Sequence, residues 1–126
     1  MLVLLATPTL AGLEGFTKGI MDSGAELVHA RSGMAALEMT KLRTPALVVV
    51  DADLHDFRPF ELVSQLARVN AMVNTAVMSG LAPEQFHDDS EGLGVLAQLP
   101  PHPAMQDATA LMDRLKHILG VNVAHA

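Results

Sequence analysis

The chain is 126 residues long, half of its residues are hydrophobic, 17% are charged, and its net charge at pH 7 is −6. Such a composition is typical of a folded globular domain and excludes a disordered chain. The acidic balance argues against binding to nucleic acid phosphates, and no apolar run approaches the ~20 residues that a membrane helix needs. Because cysteine is absent, disulfides and thiolate zinc sites are excluded as well. We therefore expect a cytoplasmic protein that has neither nucleic acid nor a membrane as a partner.

Five short apolar runs mark the predicted strands. The runs Leu2–Ala6 and Ala46–Val50 are continuous rather than alternating, which is typical of parallel strands buried on both faces. Further strands are predicted at Glu26–Ala30, Thr75–Met78 and Val95–Gln98. Each strand is followed by a segment that is long enough for a helix.

These intervening segments have the apolar spacing and the end signals of helices. Ser32 is a candidate N-cap, Pro59 suits a first helical turn, and Gly120 suits a C-cap. The first helix contains several glycines, each costing up to ~1 kcal/mol relative to alanine, so we expect it to be the least regular. The predicted helices are Thr9–Ser23, Gly33–Leu42, Phe60–Val69, Pro83–Glu91 and Ala104–Leu119.

The alternation of strands and helices predicts a doubly wound α/β fold with helices on both faces of a parallel sheet. The length allows one domain, which we place at residues 1–120, followed by a C-terminal tail at residues 121–126. With a strand order of 2-1-3-4-5, the switch point lies between strands one and three, where ligands bind in such sheets. We expect Asp51, Ser79 and the turn after strand five to surround one shallow pocket at this rim.

Four stretches of the chain, in the same order, resemble the receiver domains of bacterial two-component response regulators. Residues 25–37 look like the second strand and helix, and residues 45–51 look like the third strand, which ends in the phosphorylated aspartate. Residues 51–62 resemble the loop and helix that follow, and Ser79-Gly80 resembles the pair after strand four. The resemblance implies a flavodoxin-like (βα)5 fold with strand order 2-1-3-4-5. It also makes Asp51 the candidate phosphoacceptor and Ser79 a candidate contact to the phosphoryl group.

The positions that would hold a metal ion depart from the receiver pattern. Receivers have two adjacent acidic residues after strand one, which bind Mg²⁺ together with the phosphoacceptor. The corresponding residues here are Ala6 and Thr7, or Thr7 and Pro8 in a register shifted by one, and neither pair has a carboxylate. Because Mg²⁺ requires near-octahedral oxygen ligation, Asp51 and Asp53 leave only a weak candidate magnesium site.

Two positions on the fifth strand depart from the pattern as well. The family's lysine before a proline corresponds to Leu99, and its aromatic switch residue corresponds to Leu96. Phosphoryl transfer depends on the metal and on cations that neutralise the developing charge. The resemblance therefore indicates a degenerate receiver, or pseudo-receiver, that has no resident cofactor and is not an enzyme.

The sequence favours a stand-alone signalling domain that acts as a protein-interaction module without efficient Mg²⁺-dependent phosphorylation. The resemblance implies a protein partner, a histidine kinase or another signalling protein, and allows a homodimer through the fourth helix, fifth strand and fifth helix. The alternative is a phosphorelay receiver in which Asp51 accepts a phosphoryl group from a histidine kinase. A third option is a small-molecule or metal-dependent enzyme that uses the same sheet edge. A metal would then be bound by His55, His87 and His102 with Asp51 or Asp53, although the histidine spacing matches no known ligand pattern.

Overall fold

The computed structural model describes residues 1–120, and the tail predicted at residues 121–126 lies outside this described part. Five strands and five helices alternate along residues 1–120. The strands are β1 (Leu2–Ala6), β2 (Glu26–Ala30), β3 (Leu47–Asp51), β4 (Asn74–Met78) and β5 (Val95–Leu99). The helices are α1 (Glu14–Asp22), α2 (Gly33–Leu42), α3 (Pro59–Val69), α4 (Pro83–Ser90) and α5 (Met105–Leu119).

The five strands form one sheet in the order β2-β1-β3-β4-β5, and every neighbouring pair is parallel. In this register Ala6 of β1 lies beside Val50 of β3, and Asp51 lies beside Met78 of β4. Parallel strands end at a common edge, so the residues that follow β1, β3 and β4 meet there. The predicted doubly wound, flavodoxin-like fold is therefore confirmed.

The central strands send alternate side chains into two hydrophobic clusters, one on each face of the sheet. Val3 and Leu5 pack with apolar residues of α1 and α5, whereas Leu4 and Val48 pack with residues of α2 and α3. Because helices cover both faces, neither face of β1 or β3 needs polar side chains. This two-sided burial explains why the apolar runs of the sequence are continuous.

Most helix ends follow the local signals of the sequence. The hydroxyl of Ser32 accepts a hydrogen bond from the amide of Ala35 at 3.0 Å, which confirms the predicted N-cap of α2. Pro59 is the first residue of α3, and Gly120 ends α5 with a φ of 75°. No helix within residues 1–120 combines the length and the apolar character that a membrane span requires.

Helix α1 begins later than its sequence pattern predicts. It starts at Glu14 rather than at Thr9, so the predicted start is wrong. The amide of Leu13 donates to the carbonyl of Leu10 at 3.0 Å, and Gly12 has a φ of 81°, which a right-handed helix does not accommodate. The segment between β1 and α1 is therefore a loop at the carboxyl edge of the sheet.

Candidate functional site

The polar residues at the carboxyl edge of the sheet form the candidate functional site. Thr7 follows β1, Asp51 is the last residue of β3, and Ser79 follows β4. Because β1 and β3 are adjacent and in register, Thr7 and Asp51 meet, although they lie 44 residues apart in the chain. Asp51 thus lies at the switch point, as the strand order predicts.

Both carboxylate oxygens of Asp51 accept a hydrogen bond from this chain. The Oδ2 atom accepts from the hydroxyl of Thr7 at 2.8 Å, and the Oδ1 atom accepts from the backbone amide of Asp53 at 2.8 Å. Both distances lie in the ordinary range for protein hydrogen bonds. The carboxylate is half-buried and held by two uncharged donors.

Thr7 is fixed by contacts on every side. Its side chain is 1% exposed, and its backbone amide donates to the carbonyl of Ala30 at 3.0 Å. Its carbonyl lies 2.8 Å from Nε2 of His29, and its hydroxyl oxygen lies 3.0 Å from the carbonyl of Thr9. A hydroxyl has only one hydrogen to donate, so Asp51 and the Thr9 carbonyl compete for it. Thr7 therefore supplies a neutral donor at a position where a magnesium site would need a carboxylate.

A cleft of about 280 Å³ opens beside Asp51. His55 and His102 line it together with Asp51 and Asp53, so the predicted grouping of Asp51 with the turn after β5 is found. His87 lies on α4 and does not line this cleft. The remaining lining residues are Pro8, Thr9, Ala11, Leu13 and Pro101, so no lysine or arginine of residues 1–120 lines the cleft.

The donor set at this edge does not fit a bound magnesium ion well. Ala6 is fully buried, and the hydroxyl of Thr7 is directed toward the Asp51 carboxylate. That leaves the carboxylates of Asp51 and Asp53, whereas Mg²⁺ requires six oxygens in near-octahedral geometry. Within residues 1–120, no three histidine, aspartate or glutamate side chains come together to hold a metal ion. The three-histidine metal site is therefore wrong, and the weak Asp51–Asp53 magnesium site stays a prediction.

Ser79 is buried, and its hydroxyl is already engaged by the backbone. The side chain is 6% exposed, and its Oγ atom accepts a hydrogen bond from the amide of Leu81 at 3.1 Å. The Ser79 amide donates to the carbonyl of Leu99 at 2.9 Å, which connects the end of β4 to β5. Ser79 does not line the cleft beside Asp51, so the prediction that it shares one pocket with Asp51 is wrong. Its role as a phosphate contact stays a prediction.

The two positions on β5 where the sequence departs from the receiver pattern belong to the hydrophobic core. Leu96 is 7% exposed and Leu99 is 4% exposed, and both pack in the cluster covered by α1 and α5. Neither side chain faces the cleft beside Asp51. Leucine at position 99 therefore fills core volume in addition to lacking a positive charge.

Gln98 is a polar residue of this region that the sequence pattern does not reveal. Its side-chain Nε2 atom donates to the carbonyl of Leu81 at 2.8 Å and to the carbonyl of Ser79 at 3.2 Å. The two acceptors lie in the loop between β4 and α4. A half-exposed glutamine on an edge strand has no local signal that identifies such a contact.

Asp56 is a second residue whose role the sequence does not reveal. Its carboxylate crosses from the loop after β3 to the first turn of α2, where it accepts from the amides of Gly33 at 3.0 Å and Met34 at 2.9 Å. Partial burial raises the pKa of Asp56, but hydrogen bonds from Met34, Gly33 and its own amide, with the charge of His55, outweigh it. The pKa of Asp56 is therefore held below its ordinary value of 3.8.

Solved structures of receiver domains have the same fold as this chain. A CheY-like response regulator receiver domain protein from Methanospirillum hungatei superimposes with a TM-score of 0.78 at 18% identity, over 99% of this chain and 98% of its own. The REC domain of AraT, a response regulator from Geobacillus stearothermophilus, gives 0.81 at 19% identity over 96% of each chain. A response regulator from Thermotoga maritima gives 0.79 at 12% identity, over 90% of this chain and 95% of its own.

These likenesses define the architecture of the chain. At identities of 12% to 19%, they show that it has the CheY-like receiver fold, and they carry no residue roles with them. No protein-family model matches the chain, and no curated protein matches it.

Proposed function

We propose that this chain is a receiver-fold signalling domain that acts as a protein-interaction module without efficient Mg²⁺-dependent phosphorylation. The observation that carries the proposal is the environment of Asp51, whose neighbours within hydrogen-bond distance are two uncharged donors, the Thr7 hydroxyl and the Asp53 amide. Within residues 1–120, no lysine or arginine lines the cleft that a phosphoryl group would enter, and no carboxylate follows β1. The developing negative charge would then lack the metal and cations that phosphoryl transfer needs.

The interaction surface that we propose consists of α4, β5 and α5. Helix α4 has one buried residue, Phe86, and presents nearly all its other side chains to solvent. Its exposed residues include Glu84, Asp88 and Asp89, which have no ion-pair partner within residues 1–120. A partner protein, another signalling protein or a second copy of this chain, would bind here in the cytoplasm. The domain has no enzymatic activity in this proposal.

A second candidate function is that of a phosphorelay receiver. Asp51 is half-buried and lines an open cleft at the switch point, so a histidine kinase could reach its carboxylate. In that case Asp51 accepts the phosphoryl group, and the hydroxyl of Ser79, which accepts from the Leu81 amide, donates its hydrogen to a phosphoryl oxygen. The function that we favour and this alternative differ in whether Asp51 reacts.

Amide NMR with Mg²⁺ and beryllofluoride, a mimic of the phosphoryl group, separates the two functions. We expect the spectrum to stay unchanged at Asp51, Thr7 and Ser79, because no metal site holds the mimic. Shifts centred on these residues, together with a sub-millimolar Mg²⁺ affinity, would establish the phosphorelay function and overturn the proposal.

The variant Thr7→Asp tests whether the missing carboxylate is what prevents magnesium binding. It places a second carboxylate within hydrogen-bond distance of Asp51, and two like charges this close repel each other. We expect the variant to be less stable than the native chain without Mg²⁺ and to regain stability as Mg²⁺ is added, because an ion that binds only the folded state stabilises it. Thermal unfolding without Mg²⁺, and at Mg²⁺ concentrations raised in tenfold steps, measures this response.

The matched control for that variant is Thr7→Asn, because an asparagine side chain has the shape of aspartate without its charge. Its melting temperature should not respond to Mg²⁺. If Thr7→Asp is equally insensitive to Mg²⁺, the site is closed by its geometry rather than by the loss of a carboxylate.

A further inference from the structure

The segment between β4 and α4, residues 79–82, is held to β5 by one backbone hydrogen bond at Ser79 and by one side chain, that of Gln98. We propose that the side chain of Gln98 holds this segment, and thereby α4, in one position without any ligand. We call its two hydrogen bonds to Ser79 and Leu81 the strap. This inference rests on the proposed function, since it concerns how the interaction surface of α4, β5 and α5 is presented.

The geometry of the Gln98 amide defines the strap. Its Nε2 atom has two hydrogens, and it lies within hydrogen-bond distance of two carbonyls, 2.8 Å from that of Leu81 and 3.2 Å from that of Ser79. The opposite orientation of the amide would place its oxygen against both carbonyls and satisfy neither. The donor assignment is therefore determined by the two acceptors.

Two further hydrogen bonds close the same segment. The Ser79 amide donates to the carbonyl of Leu99 at 2.9 Å, and the amide of Leu81 donates to the hydroxyl of Ser79 at 3.1 Å. Gln98 thus joins both ends of a turn that already stabilises itself. The strap connects this turn to a strand of the sheet, which is a rigid support.

Helix α4 has few other anchors within the described part of the chain. No side chain caps its N-terminus, and Phe86 is its one buried residue. The ring of Phe86 packs edge-on against that of Phe60, with centroids 5.3 Å apart and an interplanar angle of 70°. This contact, within the hydrophobic cluster that also contains residues of α3, restrains the distance of α4 from α3. The strapped segment supplies the second point that sets the position of the helix.

Hydrogen–deuterium exchange followed by amide NMR on the whole chain tests the strap. The variants are Gln98→Met, which keeps the length of the side chain without a donor, and Gln98→Glu, which places a carboxylate against the two carbonyls. We expect the amides of residues 81–90 to exchange roughly tenfold faster in both variants, because two hydrogen bonds are lost. The amides of α2 should exchange at the native rate.

Gln65→Glu is the matched control. Gln65 lies on α3, its side chain makes no hydrogen bond to residues 1–120, and the change in charge is the same as in Gln98→Glu. We expect native exchange rates in α4 for this variant. If the amides of residues 81–90 exchange at the native rate in both Gln98 variants, or if exchange rises equally in α2 and α4, the strap does not exist.

The exchange experiment needs neither Mg²⁺ nor a partner, so its outcome is separate from that of the beryllofluoride experiment. If α4 loosens in the Gln98 variants while beryllofluoride shifts Asp51 in the native chain, the strap stands and the proposed function fails. Unchanged exchange of α4 with a flat beryllofluoride response overturns the strap and leaves the proposed function in place.

Discussion

Helices α2 and α4 follow strands of the same sheet, yet the chain holds them in different ways. Helix α2 has four buried residues and a closed N-terminus, where Ser32 and Asp56 together accept the amides of its first turn. Helix α4 has one buried residue and no side-chain cap. The amides at the start of α2 that have no partner within the helix are accepted by Ser32 and Asp56. The start of α4 has no such side-chain acceptor, so the position of this helix depends on the preceding segment, residues 79–82.

This difference distinguishes a firmly packed part of the domain, which includes α2, from a loosely anchored surface element, α4. Asp56 also brings Phe57 onto α2, so tightly that a Cβ atom at Gly33 would overlap the Phe57 ring. The loop after β3 and the start of α2 therefore form one packed unit. Helix α4 has no comparable contact, so a small number of substitutions is enough to change its position.

The largest effect that we predict is for Phe86→Ala. The substitution removes the one buried side chain of α4 and its contact with Phe60, which we expect to cost about 3 kcal/mol in free energy of unfolding. Urea unfolding measures the loss, with Phe86→Leu as a control that retains most of the apolar volume. A loss below about 1 kcal/mol would show that Phe86 does not anchor α4, because buried aromatic truncations exceed that value.

The next largest effect concerns the closed end of α2. Gly33→Ala forces a methyl group into the Phe57 ring, and we expect overpacking to cost about 2 kcal/mol. Gly15→Ala in α1 is the matched control, because its added Cβ would lie 3.6 Å from the nearest atom, the amide nitrogen of Met105, an ordinary contact. The control should be neutral or gain up to ~1 kcal/mol from helix propensity. Equal effects of the two substitutions in thermal unfolding would contradict the packed unit of α2 and the β3–α3 loop.

The smallest effect is the pH-dependent contribution of Asp56. Asp56→Ala removes the acceptor of the Gly33 and Met34 amides, which we expect to cost about 1 kcal/mol at neutral pH. The pKa of Asp56 is lowered in the folded chain, so its contribution is complete above the ordinary value of 3.8. It disappears as the pH falls from that value through the lowered pKa.

Urea unfolding of the native chain and of Asp56→Ala at a series of pH values measures this contribution. The two stabilities should converge only in the acid range. Asp53→Ala is the control, since the Asp53 carboxylate lies in the same loop and makes no hydrogen bond within residues 1–120. A difference between Asp56→Ala and the native chain that is constant with pH would show that the carboxylate charge has no role at α2.

The strands of this fold could be predicted from the sequence because their signal is local. Leu2–Ala6 and Glu26–Ala30 match the observed bounds, and β3 is displaced by one residue from its predicted range. Burial on both faces requires a continuous apolar run, which any short window of sequence reveals. The start of α1 was missed since its apolar spacing extends into a loop that Gly12 closes with a positive φ.

The site was predictable only as far as topology determines it. The meeting of Thr7 and Asp51 follows from the order of the strands, but the hydrogen bond between their side chains does not. Asp56 lies 23 residues from Gly33, and Gln98 lies 17 residues from Leu81. Contacts of this kind join segments without any shared periodicity, so no local pattern predicts them.

The sparse anchoring of α4 has a consequence for how this sequence can diverge. A residue that contributes to the core can change only together with its neighbours, because interiors are close-packed. Outside Phe86, nearly all positions of α4 are exposed, so they can accept substitutions that leave the stability of the domain almost unaltered. In the interaction module that we propose, the surface of α4 can therefore change among descendants of the chain while the sheet beneath it stays the same.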